Sequence, residues 1–244
     1  MGVNMKINVK DIEVNYIQYG KGKDLVLLHG WGQNIEMMKP LGDRLEKDYR
    51  ITIIDLPGFG CSDEPKKVYS VLDYCDVVEE VLKKLKVNNP TMIGHSFGGR
   101  VSIVYASRND VSKLILFGSP CIRHEEKLSL KVRTLKALKK VPGLNKLEGF
   151  AKKHIGSRDY KNASEMMRKI LVETVNMDLT EYAKKIDTPT LLIWGDNDLE
   201  EPVENAKELE GIMKDAGLIV FPNSSHYAYL ENINQVVKII KEFV

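Results

Sequence analysis

Apolar positions along the chain follow two alternating periods. Ile7 and Val9 alternate with polar neighbours, and Ile12, Val14 and Tyr16 do the same. That pattern predicts two antiparallel strands at the start. Gly20, Gly22 and a pair of lysines mark a turn, and residues 25–28 then form a continuous apolar run ending at His29-Gly30-Trp31-Gly32. A run of this kind suits a strand covered on both faces. Residues 34–47 are helical in pattern, 51–55 read as a strand, and Leu56-Pro57-Gly58-Phe59-Gly60 reads as a turn. The clearest helix is 70–86, where Tyr74, Val77, Val78, Val81, Leu82 and Leu85 recur at three and four with Ser70 as the cap. Strand 91–94, helix 97–107 and strand 111–117 continue the rhythm. Strands alternating with helices imply a mostly parallel sheet with helices on both faces.

The rhythm stops at Cys121. From 121 to 188 the pattern is helical, including a basic helix at 128–140 that Pro142-Gly143 ends. So long a segment is no plain connection; it reads as an insertion over one end of the sheet. The alternation resumes with a strand at 190–194, a helix at 202–214 and a strand at 218–221. In the last helix, Leu230, Ile233, Val236, Val237, Ile240 and Phe243 share a face. The expected organisation is a core of residues 1–120 and 189–244, with 121–188 inserted between the sixth and seventh strands.

Length fits this picture: 244 residues suffice for one large core with an insertion. With 36 basic and 34 acidic residues the net charge is +2, which gives no reason to expect nucleic acid. The longest apolar run is four residues, so no stable membrane insertion by a spanning helix is expected. The first residues are charged where a signal peptide needs its apolar stretch. Gly2 lacks the Ser or Thr of a myristoylation signal, because Lys6 stands there. Cys61, Cys75 and Cys121 are odd in number and widely spaced, so no disulfide framework is expected and a cytoplasmic location is the default. Cys61 is expected to be a buried structural cysteine.

The chemistry concentrates in Gly94-His95-Ser96-Phe97-Gly98-Gly99, a Gly-x-Ser-x-Gly between a strand and a helix. In that context it is a nucleophile elbow: a tight, strained turn that lifts Ser96 Oγ above the carboxyl end of the sheet. Glycines two before and two after the serine prevent collisions with the neighbouring strand and helix. A phosphate loop is excluded because Gly-x-x-x-x-Gly-Lys-[Ser/Thr] is absent, and Gly58-x-Gly60 lacks the third glycine of a dinucleotide fingerprint.

A serine needs a base, and histidine is the suitable one. Of five histidines, His226 follows the last strand and so shares an edge of the sheet with Ser96. A loop-stabilising or substrate-contact role is its alternative. His95 and His29 read as packing and loop-bonding residues, and His124 and His154 as surface residues of the insertion. The base needs an acid to fix its tautomer. Asp196 and Asp198 both follow the seventh strand; Asp198 is further out and is the choice, with Asp196 left to cap its turn. An oxyanion would meet the N–H groups of Trp31 and Phe97, while the Trp31 indole either floors the pocket or packs in the core. No metal and no cofactor are implied.

With these motifs in place, the chain resembles an α/β-hydrolase over essentially its full length. The resemblance rests on His29-Gly30-Trp31-Gly32, Asp55-Leu56-Pro57-Gly58-Phe59-Gly60, the Ser96 elbow, Trp194-Gly195-Asp196-Asn197-Asp198 and Ser225-His226. It implies a three-layer fold, Ser96 as nucleophile, Asp198 as acid, His226 as base, Trp31 and Phe97 as oxyanion donors, and a helical cap at 121–188. His-Gly-Trp-Gly with a small cap looks like carboxylesterases of the biotin-pathway type, which release methanol from a pimeloyl ester. It is also similar to carbon–carbon bond hydrolases and to a menaquinone-pathway lyase. Haloalkane dehalogenases and epoxide hydrolases use an aspartate nucleophile, against which Ser96 speaks. Cofactor-free perhydrolases and a non-catalytic binding module are further alternatives. The expected partner is a small-molecule ester; the sequence leaves the oligomeric state open. The insertion holds 16 basic and 9 acidic residues. That balance has two readings, a basic solvated face, which is preferred, or recognition of an acyl group with a distal carboxylate by Arg123, Arg133 or Arg158; Tyr227 and Tyr229 read as helix-start packing, with lining of the rim as the alternative.

Overall fold

The computed structural model describes residues 2–124 and 163–244. The basic helix expected at 128–140, its Pro142-Gly143 stop, His154, Arg133 and Arg158 lie outside the described residues. Eight strands form one sheet: β1 (Met5–Val9), β2 (Ile12–Gly20), β3 (Lys23–Leu28), β4 (Tyr49–Ile54), β5 (Thr91–His95), β6 (Lys113–Phe117), β7 (Thr190–Gly195) and β8 (Ala216–Phe221). Their order is β1-β2-β4-β3-β5-β6-β7-β8. β2 pairs antiparallel with β1 and β4, and every other pair is parallel.

The described helices are α1 (Ile35–Leu45), α2 (Val71–Lys84), α3 (Phe97–Ala106), α4 (Glu165–Asn176), α5 (Thr180–Ala183), α6 (Val203–Ile212), α7 (Ala228–Glu231) and α8 (Ile233–Phe243). Side chains alternate across the sheet because successive strand residues point to opposite faces. Leu25, Leu27, Ile51, Ile53, Ile93 and Ile115 join α1 and α8 on one side. Val26, Leu28, Met92, Leu114, Leu116 and Leu192 join α2, α3 and α6 on the other. This is the three-layer α/β architecture that the sequence predicts. α2 starts at a reciprocal capping box between Ser70 and Asp73, as the Ser70 reading requires. No helix among the described residues is long and apolar enough to cross a membrane.

Two expectations change. The last apolar face is not one helix: the chain breaks at Asn232, where φ is −115°. The Asn232 side-chain amide donates to Ser224 Oγ (2.8 Å) and to the Ala228 carbonyl (3.1 Å). A side chain that bonds locally in this way competes with continuous helix. Cys61 is exposed, not buried. Its backbone N–H turns inward to Asp55 Oδ2 (2.9 Å), so its side chain faces outward.

Asp55 organises that corner. It is almost fully buried and accepts from Asn15 Nδ2 (2.7 Å), Ile35 N (2.7 Å) and Cys61 N (2.9 Å). One carboxylate thereby joins β2, the start of α1 and the turn after β4.

Between β6 and β7 the described residues hold α4 and α5. α4 buries Met167, Ile170 and Thr174 on one side. Met167 packs over Gly58. Arg100 of α3, itself buried, donates to the carbonyls of Pro120 (3.1 Å), Thr174 (2.9 Å) and Met177.

Asp55→Ala is expected to lower the unfolding free energy by about 3 kcal/mol or more, because three donors lose a charged acceptor. Urea unfolding measures this; a loss below about 1 kcal/mol would show that the corner stands without it.

Candidate active site

Parallel pairing brings the carboxyl ends of β3, β5, β6, β7 and β8 to one edge. Leu28 pairs with Gly94, His95 with Phe117, and Gly195 with Phe221. The loops that follow carry Trp31, Ser96, Gly118, Asp198 and His226.

Ser96 has φ 49° and ψ −113°, so the strain expected of the elbow is present. Its N–H donates to the Phe117 carbonyl at 2.9 Å. A Cβ on Gly94 would lie 2.5 Å from Gly99 Cα, and one on Gly98 would lie 2.3 Å from the Leu28 carbonyl oxygen. The elbow therefore closes against its own helix and against β3. α3 begins directly at Phe97, so the first N–H groups of the helix flank the serine.

Asp198 and His226 meet on the same edge. His226 Nδ1–H donates to Asp198 Oδ2 at 2.8 Å, and both side chains are buried. Asp198 Oδ1 accepts from the N–H groups of Glu200 (2.9 Å) and Glu201 (2.8 Å). These bonds fix the carboxylate before it meets the imidazole. The two loops are also bonded directly, Asp196 N to the Phe221 carbonyl (3.1 Å) and Asn197 N to the Ser224 carbonyl (2.9 Å). Asp196 thus serves its turn through its backbone, and its side chain is exposed. A Cβ on Gly118 would come within 2.9 Å of His226 Nδ1 and 3.1 Å of Asp198 Oδ2. Phe117 and Gly118 therefore link the two halves of the site, bonding Ser96 N on one side and bordering the His226–Asp198 pair on the other.

The remaining histidines separate by environment. His29 is fully buried; its Nδ1–H donates to the Gly30 carbonyl (2.7 Å) and its Nε2 accepts from Leu56 N (3.0 Å). Burial pushes its pKa down. His95, next to the serine, is also fully buried, and burial followed by the nearby His226 pushes it down to about 3. Its Nε2–H donates to the His226 carbonyl at 3.1 Å, and its ring lies 4.8 Å from the His226 ring. His95 thus packs behind the candidate base. Burial lowers the His226 pKa too, but the hydrogen bond and charge of Asp198, with Glu200 and Glu201, outweigh it and raise the value. His124 is exposed beside Glu208 at 3.5 Å.

The Trp31 indole packs edge-on against Phe59 (4.9 Å) and Phe97 (5.2 Å), so aromatic packing describes it. Tyr229 is buried and stacks on Phe117 at 4.8 Å, while Tyr227 lies edge-on to His226 at 5.7 Å. The Arg123 guanidinium donates to the Asn176 carbonyl (3.2 Å), so it secures the described end of the insertion. Sequence reasoning missed Arg100 and Glu200. Arg100 had a signal, a lone charge in an otherwise small and apolar helix. Glu200 had little beyond its place two residues after Asp198.

A family model described as alpha/beta hydrolase fold matches residues 24–148, just over half of the chain. The chain belongs to that family. This α/β hydrolase is 29% identical to the AB hydrolase superfamily protein YisY of Bacillus subtilis, over 92% of each chain. It is 25% identical to a pimeloyl-[acyl-carrier protein] methyl ester esterase of Aliivibrio fischeri, covering 92% of this chain and 95% of that one. Among solved structures, an esterase from Exiguobacterium antarcticum superposes with a TM-score of 0.79 at 25% identity, covering 99% of each chain.

The raised His226 pKa sets a sign. The imidazolium persists to a higher pH than an ordinary histidine with a value of about 6.5. An NMR titration of the His226 ring is expected to show a midpoint above that value, and Asp198→Asn is expected to lower it. A wild-type midpoint below the ordinary value would mean that burial outweighs Asp198.

Proposed function

We propose that the hydrolase is a serine carboxylic-ester hydrolase for small or medium acyl esters. The observation that carries this reading is the buried 2.8 Å bond from His226 to Asp198, at the same sheet edge as a serine with φ 49°. The esterases among its relatives support the same chemistry.

Ser96 Oγ attacks the acyl carbonyl while His226 Nε2 takes its proton. The N–H groups of Trp31 and Phe97 receive the oxyanion. As the tetrahedral centre collapses, the bond to the leaving oxygen breaks and His226 returns the proton to it, releasing the alcohol. Water then adds to the acyl-enzyme by the same route, giving the acid and free Ser96. Asp198 holds the tautomer with Nδ1 protonated and Nε2 free. Each oxyanion donor contributes roughly 3 kcal/mol, two orders of magnitude in rate. The insertion at 121–188 acts in this reading as the cap that selects the acyl group.

Ser96→Ala is expected to reduce hydrolysis of p-nitrophenyl esters, acetate through palmitate, by about 10⁴-fold or more without shifting the unfolding midpoint. A clear optimum in the series would size the acyl pocket. Wild-type-level turnover by the variant would sink the assignment. Absence of serine-dependent turnover on every ester would favour carbon–carbon cleavage instead.

A further inference from the structure

The nitrogen of His226 that must work faces a carboxylate. Its Nδ1 is bound to Asp198, and its Nε2 lies 3.5 Å from Glu200 Oε2. Glu200 is not a casual surface carboxylate. Its backbone N–H is held by Asp198 Oδ1 at 2.9 Å, so the start of its side chain is fixed by the same aspartate that orients the histidine. Beyond that point the side chain is 67% exposed and stands at the mouth of the site. Its neighbour Glu201 turns the other way: it is buried, its Oε1 accepts from Asn205 and its carbonyl from Trp194 Nε1.

The charges that act on His226 from this loop are Asp198, Glu200 and Glu201, all acidic. From β5 comes His95, kept neutral by burial; from its own loop comes the ring of Tyr227. In an ester hydrolase, Nε2 hands its proton to the leaving oxygen, so that oxygen sits within hydrogen-bond reach of Nε2. A leaving oxygen about 3 Å from Nε2 then lies no more than about 6.5 Å from Glu200 Oε2, which is itself 3.5 Å from Nε2.

We propose that Glu200 is a specificity residue on the leaving-group side of the site, whose carboxylate rejects esters of anionic alcohols and favours those of cationic ones. This inference rests on the ester-hydrolase reading. It concerns the alcohol and not the acyl group. Two unit charges about 6 Å apart at the dielectric of water alter an equilibrium or rate by roughly threefold, so an attraction and a repulsion together change the cation-to-anion ratio by about tenfold. Salt weakens the effect because Glu200 is exposed.

The test uses three butyrate esters of phenols with the same meta-substitution: trimethylammonio, tert-butyl as its neutral isostere, and carboxylate. kcat/KM of each charged ester is divided by that of the neutral one, which cancels losses common to all three. Wild type is expected to rank cation over neutral over anion, with a spread that narrows in high salt. Glu200→Gln is expected to shrink the cation-to-anion ratio by about tenfold. A second readout needs no turnover: Glu200→Gln is expected to lower the NMR titration midpoint of the His226 ring. An unchanged ratio in Glu200→Gln, with the neutral ester still hydrolysed in a Ser96-dependent way, overturns the proposal alone. An unmoved His226 midpoint removes the contact on which it stands. Failure of wild type to hydrolyse any of the three in a Ser96-dependent way overturns the ester reading and this inference together.

Discussion

A φ of 49° at Ser96 persists only because the segments on either side of it cannot give way. β5 is hydrogen-bonded between β3 and β6, and all ten residues of α3 are buried. Strain of this kind costs about 1–3 kcal/mol. Each fully buried Val or Ile of α3 offsets roughly that much by leaving water, and Val101, Ile103 and Val104 are all fully buried. The turn is therefore held by the interior of the sheet and helix together with the backbone bonds of the serine to Phe117, Gly99 and Arg100. Gly98 shows how little room is left: the backbone of β3 occupies the place a side chain would need. The same closure sets the Phe97 N–H beside the serine, and the Phe97 ring meets Trp31 at 5.2 Å.

Three buried histidines show what turns an imidazole into a base. His29 and His95 are fully buried, bonded mainly to carbonyls, a backbone N–H and an amide side chain, and their pKa values fall. His226 is buried as well, yet its value rises. Glu200 and Glu201 add to the difference, and the largest part of it is the carboxylate of Asp198, which meets Nδ1 at 2.8 Å. That carboxylate is itself preset by two backbone N–H groups, so its charge is satisfied before the histidine is counted. Position next to the serine in sequence, as His95 has, gives none of this. Position at the end of the neighbouring strands does.

Much of the fold and the core of the candidate site were legible because they rest on strong local patterns. The alternation of strand and helix follows from side-chain periods that sequence displays directly, and the elbow needs glycines where no other residue fits. Asp198 was preferable to Asp196 because reach from the strand end is a property of spacing. What escaped depends on where a side chain turns within a loop. Cys61 faces outward because its N–H is claimed by Asp55, 6 residues away. Asn232 interrupts an otherwise continuous apolar face because its amide finds Ser224. Glu200 and Glu201 are identical in type and adjacent, yet one reaches His226 and the other is buried and bonded to Asn205. No periodicity separates them; only the geometry around Asp198 does.

Arg100 joins the chemistry to the segment between β6 and β7. It lies one helical turn after Ser96, on the helix that Ser96 starts, and its guanidinium donates to the carbonyls of Pro120, Thr174 and Met177. Burial penalises its charge, so those carbonyls replace the water that a charged group requires. Lifting the end of α4 would leave a buried cation with only the Pro120 carbonyl as acceptor, which costs several kcal/mol. At its other end α4 packs Met167 over Gly58, next to the Phe59 that supports Trp31. One helix of the insertion thus bears on both the serine helix and the loop that carries Trp31. A substitution in its buried face would therefore act on the packing of the Ser96 helix and of the Trp31 loop together.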